Sequence, residues 1–190
     1  MQYQKEEVRN RIMEAAFSEF EKSGYYRASM LQISTKAKVP IGNLYRYFKG
    51  KEVLFASCVE TAYSCSLKLV NSVFDVWLET KDYEATIPTL LAEAKSLGRG
   101  LKLLTEKSSG SAYSDFINKI IEIGYNRLSE AFHLNGYEAD EFIVRTIAAN
   151  ITDGVISVLI HAPEQRREAL LAELMNFYFK DLGERVGGKG

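Results

Sequence analysis

Only three prolines interrupt the 190 residues, and no stretch alternates apolar and polar side chains for long. Both features weigh against a sheet-built fold and leave long helical runs open. Cysteine is as scarce: Cys58 and Cys65 are the two present. Seven positions apart on one helical stretch and without metal-ligand company, they read as free thiols in a reduced compartment. The two histidines, His133 and His161, fall in no HExxH or nucleophile pattern. No GxSxG, P-loop or GxGxxG sequence occurs either. The expectation is therefore no catalytic residue, no metal and no cofactor. No basic segment leads into a short apolar core at the start, so no secretory signal is expected. The most apolar late stretch, 142–161, is interrupted by Arg145, Asn150 and Asp153. That argues against a membrane partner and for a cytoplasmic protein.

What is present is apolar and charged in ordinary proportion, 46% hydrophobic and 26% charged, as in a globular domain. The formal net charge of -1 hides an asymmetry. Residues 1–51 carry ten basic side chains (Lys5, Arg9, Arg11, Lys22, Arg27, Lys36, Lys38, Arg46, Lys49, Lys51) against five acidic ones. The remainder carries fourteen basic against twenty acidic. A basic head on an acidic body points to a polyanionic partner for the head alone.

Helical periodicity runs through the chain. Val8, Ile12, Ala15, Ala16 and Phe20 repeat at helical spacing, and Gly24 is placed to end that helix. Ser29 is a good N-cap for a short second helix that buries Ile33 and Ala37. Lys38-Val39-Pro40 reads as a turn, and Ile41 to Phe48 as a third helix with Leu44 and Phe48 facing inwards. Two short helices joined by a tight turn and backed by a longer one make a helix-turn-helix. Beyond it the pattern predicts one or two helices over 54–80, one over 87–104 with the stripe Leu90, Leu91, Ala94, Leu97, Leu101 and Leu104, and a loop over 106–111. A helix follows over 113–134, closed by Asn135-Gly136, then one opened by Asp140 and running to His161. Pro163 opens a last helix over 164–182, and 187–190 reads as a frayed tail. The fold class is all-α: an N-terminal three-helix domain over 1–51 and a helical domain over 52–190.

The segment 24–54, GYYRASMLQISTKAKVPIGNLYRYFKGKEVL, resembles the DNA-binding segment of the tetracycline-repressor (TetR/AcrR) family. Val39, Gly42, Leu44, Tyr45, Tyr47, Phe48, Lys51 and Leu54 fall in that family's spacing. Three positions depart from it: Pro40 where serine is common, Lys38 where a turn glycine is usual, and Ser34 where alanine is usual. The resemblance implies a regulator that binds operator DNA through this head. Lys51, Tyr45 and Tyr47 are then expected to clamp phosphates, with Ser29 at a phosphate by the start of the second helix. Lys38 can add a phosphate contact of its own. Gly42 lets the backbone approach the sugar-phosphate strand. Base reading falls to the third helix: Asn43 can pair with adenine, Arg46 can reach guanine or phosphate, and Ile41 can touch a thymine methyl. The alternative is that Tyr45 and Tyr47 are packing aromatics, Tyr47 as a cap on the small core.

For the body the resemblance implies a small-molecule pocket and a homodimer through the last two helices, with an effector releasing the protein from its operator. Ala148, Ala149, Gly154 and Ser157 allow close helix approach. Leu170, Leu171, Leu174, Met175, Phe177 and Tyr178 supply an apolar face. Tyr63, Phe74, Trp77, Tyr113, Tyr125 and Asn150 are the candidates to line the pocket, though each can equally be core. The alternative is a helix-turn-helix protein governed by a protein partner or acting without a small ligand. Effector, operator and the choice between repressor and activator are not written in these residues.

Overall fold

Nine α-helices follow one another among the described residues of the computed structural model: α1 Gln2–Arg27, α2 Met30–Ala37, α3 Ile41–Tyr47, α4 Lys51–Thr80, α5 Ile87–Glu106, α6 Phe116–Leu134, α7 Glu141–His161, α8 Arg167–Phe179 and α9 Leu182–Val186. The described backbone covers residues 2–80, 82, 84–186 and 188–189, and the side chains of 2–4, 94–96 and 188–189 are outside the description. Ala94 of the expected stripe therefore lies outside the described side chains.

Local chemistry sets the helix ends. Gly24 leaves helical geometry at φ 72° and ψ 163°, a region open to glycine because it lacks a Cβ. The regular part of α1 stops there as the sequence predicts. Asp140 opens α7, its Oδ1 accepting from the amides of Phe142 at 2.9 Å and Ile143 at 3.2 Å. Those bonds satisfy two amides that have no partner within the helix.

Four expectations need correction. α5 is broken at Gly98, φ 47° and ψ −142°, although its leucine stripe continues through the break. Periodicity registers side-chain spacing and is blind to one rotated peptide. The helix expected from Tyr113 begins at Phe116, because the Ser111 hydroxyl donates to the Ser108 carbonyl at 2.6 Å and accepts from the Tyr113 amide at 3.1 Å. That local bonding competes with the helix. The last helix is interrupted too: residues 164–166 form a 3-10 turn, and Asp181 at φ 53° separates α8 from α9. In the expected frayed tail, Gly188–Lys189 pairs antiparallel with Tyr137–Glu138, while Gly187 and Gly190 lie outside the described residues.

The chain packs as two compact units, one of Met1–Ser64 with Leu97–Phe116, the other of Cys65–Ser96 with Ile117–Gly190. In the first unit Ile12, Ala16, Phe20, Ile33, Leu44 and Leu54 are fully buried, each such large side chain contributing roughly 1.5–3 kcal/mol. An aromatic chain extends this core beyond the head. Phe55 stands edge-on to Phe20 at 4.9 Å and 6.1 Å from Tyr113, and Tyr63 lies 5.2 Å from Tyr113 and 5.9 Å from Phe116. A Cβ on Gly100 would come within 2.8 Å of the Ala62 Cβ, so α5 lies hard against α4 here.

In the second unit α7 packs on α8, and Val144, Ala148, Thr152 and Leu159 of α7 and Leu171 and Met175 of α8 are buried. A Cβ on Gly154 would sit 3.0 Å from Leu174 Cδ2. Phe74, Trp77 and Phe179 form an aromatic triad with centroids 5.1–6.4 Å apart. Among the described residues, α4 and α7 are long and apolar enough by length and composition to cross a membrane. The polar interruptions in 142–161 therefore do not take α7 below that threshold.

Candidate nucleic-acid interface

The helix-turn-helix is built from a capping box, a stitched turn and a buried hinge face. At the start of α2 the Ser29 hydroxyl accepts from the Gln32 amide at 3.2 Å, and Gln32 Oε1 accepts from the Ser29 amide at 2.9 Å. This is a reciprocal cap. Ser29 Oγ also donates to Gln32 Oε1 at 2.8 Å, so its hydroxyl is committed to holding α2.

The turn settles two of the three departures from the family's pattern. Lys38 adopts φ 53°, ψ 43°, the left-handed conformation a turn glycine would take at no cost; a non-glycine residue there costs about 1–2 kcal/mol. Ser34, in place of alanine, donates its buried hydroxyl to the Val39 carbonyl at 2.6 Å. The Val39 amide in turn donates to the Ser34 carbonyl at 3.1 Å. Ser34 thus ties both polar groups of Val39 across the turn and offsets part of the strain at Lys38. Pro40 precedes α3 with its carbonyl accepting from the Asn43 and Leu44 amides at 2.8 and 3.0 Å.

α3 turns Leu44 and Phe48 fully inwards. Ile41, Gly42, Tyr45 and Arg46 are exposed, Tyr45 at 47% of its surface, while Asn43 and Tyr47 are half-buried. Ile41 with Tyr45, and Gly42 with Arg46, are four residues apart and neighbours on the helix surface. Gly42 meets nothing within 4 Å of where a Cβ would stand, so its backbone is open. Beside this face the Arg9 guanidinium lies 5.2 Å from the Phe48 ring centroid. The exposed Lys38 side chain projects from the turn.

Lys51 is the residue whose surroundings differ from expectation. Its ammonium donates to three backbone carbonyls, Tyr25 at 2.8 Å, Tyr26 at 3.2 Å and Ala28 at 3.1 Å. It also lies 4.4 Å from the Tyr25 ring centroid. A lysine has three N–H donors, and here all three are occupied within the protein. The Tyr25 amide donates to the Lys107 carbonyl at 2.8 Å, and its ring packs on Phe20 and Phe55. Burial, reinforced by the charge of Glu52, holds the Tyr25 phenol above its ordinary value. The motif spacing gives Lys51 its place on the chain and carries no sign of these carbonyls, which lie 23 to 26 positions away.

The six pocket candidates are divided between the two units. Tyr63 and Tyr113 belong to the first unit, where Tyr113 Oη donates to Glu60 Oε2 at 2.5 Å. Phe74, Trp77, Tyr125 and Asn150 belong to the second. There the Arg145 guanidinium lies 4.4 Å from the Tyr125 ring centroid, and Asn150 is exposed. A cavity of about 210 Å3 is lined by Trp77, Phe132, Asn135, Tyr137, Phe179 and Asp181, among others. Trp77 is the one candidate on its wall. No periodic signal in the sequence marks Phe132, Tyr137 or Phe179 as a cavity residue.

The chain is similar to known proteins over its head in sequence and over most of its length in fold. Residues 12–58 match the family model described as bacterial regulatory proteins, tetR family. The chain is 45% identical over 51 residues to the HTH-type transcriptional regulator HbdR of Aromatoleum sp. (strain CIB), a stretch that is 26% of this chain and 22% of that one. The matched stretches span 22% and 40% of the lengths of the curated relatives. Across the whole fold, the TetR family protein CprB from S. coelicolor A3(2) superposes with TM-score 0.60 at 23% identity, covering 96% of this chain and 90% of CprB. The SmeT–triclosan complex superposes with TM-score 0.59 at 18% identity, covering 90% of each chain. Over residues 12–58, which hold the capped α2, the stitched turn and the exposed α3, the chain is similar to the bacterial regulatory proteins of the tetR family and, in its matched stretches, to HTH-type transcriptional regulators.

Proposed function

We propose that the protein is a cytoplasmic, homodimeric repressor that holds operator DNA and is released by a small molecule. The observation that carries this reading is the face of α3, where Ile41, Gly42, Tyr45 and Arg46 stand exposed over a buried Leu44 and Phe48. Asn43 and Arg46 read bases, Ile41 meets a thymine methyl, and Gly42 admits the sugar-phosphate strand. Tyr45, Tyr47 and Lys38 contact phosphates. In this division residues 1–51 read DNA and 52–190 sense and dimerise.

For the dimer, the support is an apolar surface on α7 and α8. Phe142 is 74% and Phe177 68% exposed, with Ile143 beside them, and such residues are costly to leave in water unless a partner covers them. A dimer also presents two copies of α3 to a two-fold operator. For the effector, the support is the likeness to SmeT, a protein seen in complex with triclosan. Release follows where the ligand binds better to a dimer geometry that no longer fits the operator.

The test is selection from a genomic fragment library, wild type beside Tyr45→Ala/Arg46→Ala, at two salt concentrations. Enrichment of a palindromic site that the double variant loses and salt weakens is the expected result. Equal enrichment by the variant would remove α3 as the reading helix. Saturating effector that leaves operator affinity unchanged would favour control by a protein partner.

A further inference from the structure

We propose that Lys51 is a positioning residue for operator binding, acting as a staple across the two ends of the helix-turn-helix and not as a phosphate ligand. The proposal rests on the reading of α3 as the DNA-reading helix. Ala28 lies two residues before α2, and Lys51 is the first residue of α4, immediately after the loop that leaves α3. The bond from Lys51 Nζ to the Ala28 carbonyl, 3.1 Å across 23 positions, therefore closes the segment that contains both α2 and α3. The bonds to the Tyr25 and Tyr26 carbonyls, 2.8 and 3.2 Å, fix the same ammonium to the connection that follows Gly24.

These carbonyls need the lysine as much as it needs them. They lie beyond the break at Gly24, the bonds to Tyr25 and Ala28 are part-buried, and Lys51 is half-buried. A buried carbonyl left without a donor is costly, and so is a partly desolvated ammonium without acceptors. The Tyr25 ring 4.4 Å from Nζ closes the remaining side of the cation. A phosphate at Lys51 would have to displace one of three bonds already made. Keeping them holds α2 and α3 in one orientation to α4 and so prepares the head for the groove, which raises affinity by lowering the cost of ordering on binding.

Two measurements on the intact dimer test this. The first is the affinity of Lys51→Met for the selected operator as a function of salt. The expected result is at least a tenfold loss in the folded protein with the slope of log K against log salt unchanged. A shallower slope, by about 0.9 for each phosphate no longer neutralised, would make Lys51 a phosphate ligand and overturn the proposal. Unchanged affinity with a lowered melting temperature would make it a stabilising lysine only, which also overturns it. The second uses the wild type and needs no folded variant: acetylation by an N-hydroxysuccinimide ester, read by mass spectrometry with and without operator. Lys51 is expected to be protected in the free protein and to change little on DNA. Labelling of free Lys51 as fast as the exposed Lys38 and Lys49, followed by protection on operator, would refute the staple. Failure of the wild type to select any operator would instead sink the reading of α3.

Discussion

Arg99 grips Glu21 end to end, Nε donating to Oε1 at 2.7 Å and Nη2 to Oε2 at 2.8 Å, across 78 positions of sequence. Its Nη1 reaches Glu14 Oε2 at 2.9 Å and its guanidinium lies 4.6 Å from the Phe17 ring centroid. One residue beyond the break in α5, a single side chain therefore ties that segment to three residues of α1.

The hydrogen bond from Arg99 holds the Glu21 carboxyl below its ordinary value, against a smaller opposing effect of burial. A depressed folded value means stability that is present above the unfolded carboxylate range and lost as pH falls through the folded one. Because the pair is partly exposed, Arg99→Ala should cost only about 1 kcal/mol at pH 7, and less at pH 3. Urea unfolding at both pH values checks this. An equal cost at both would assign the effect to packing on Phe17.

Tyr113 gives the opposite sign. Burial first, then its hydrogen bond to Glu60, pushes the phenol up to about 12. The folded state then keeps a proton that the unfolded chain releases near its ordinary value of about 10. The stabilisation is complete below pH 10 and disappears as pH rises towards 12. Melting curves from pH 9 to 12 should fall more steeply for the wild type than for Tyr113→Phe, which has no proton to lose there.

Two glycines separate folding from DNA binding. Gly98→Ala forces a side chain into φ 47°, ψ −142° and should destabilise by about 1–3 kcal/mol. Gly42→Ala adds a methyl to an open helical position, where alanine is favoured by up to about 1 kcal/mol. It should leave the melting temperature unchanged or raised while weakening operator binding, because the methyl stands where the DNA strand is proposed to approach. Operator affinity of Gly42→Ala equal to wild type would rule out that approach.

The two cysteines should differ in reactivity. Burial pushes the Cys58 thiol up to about 12, and the thiolate is the nucleophile. Cys65 is half-buried. Iodoacetamide at pH 8 should modify Cys65 and spare Cys58 until the protein is unfolded, as peptide mass mapping would show.

The head is legible residue by residue because its signals are local. Helical spacing puts Leu44 and Phe48 inwards and Tyr45 outwards, Gly24 marks the end of α1, and Ser29 the start of α2. Lys38 can be read as a strained position from the missing glycine alone. The body is legible only as a succession of helices. Its breaks at Gly98 and Asp181 each involve one residue's backbone, and a stripe of leucines runs past such a point unaltered. The pocket candidates are mostly aromatic residues of suitable helices, and packing sends Tyr63 and Tyr113 into one unit and Phe74 and Trp77 into the other.

Side-chain order along the chain was enough for an all-helical fold, a helix-turn-helix and the exposed face of its third helix, since each depends on residues three or four apart. The role of Lys51 was not, nor those of Ser34, Arg99 and Tyr113. Their partners are brought to them by the fold: three carbonyls beyond Gly24, the far side of a turn, two glutamates of α1 and Glu60 of α4. A lysine in a DNA-binding motif reads as a phosphate ligand until packing supplies acceptors closer than any phosphate.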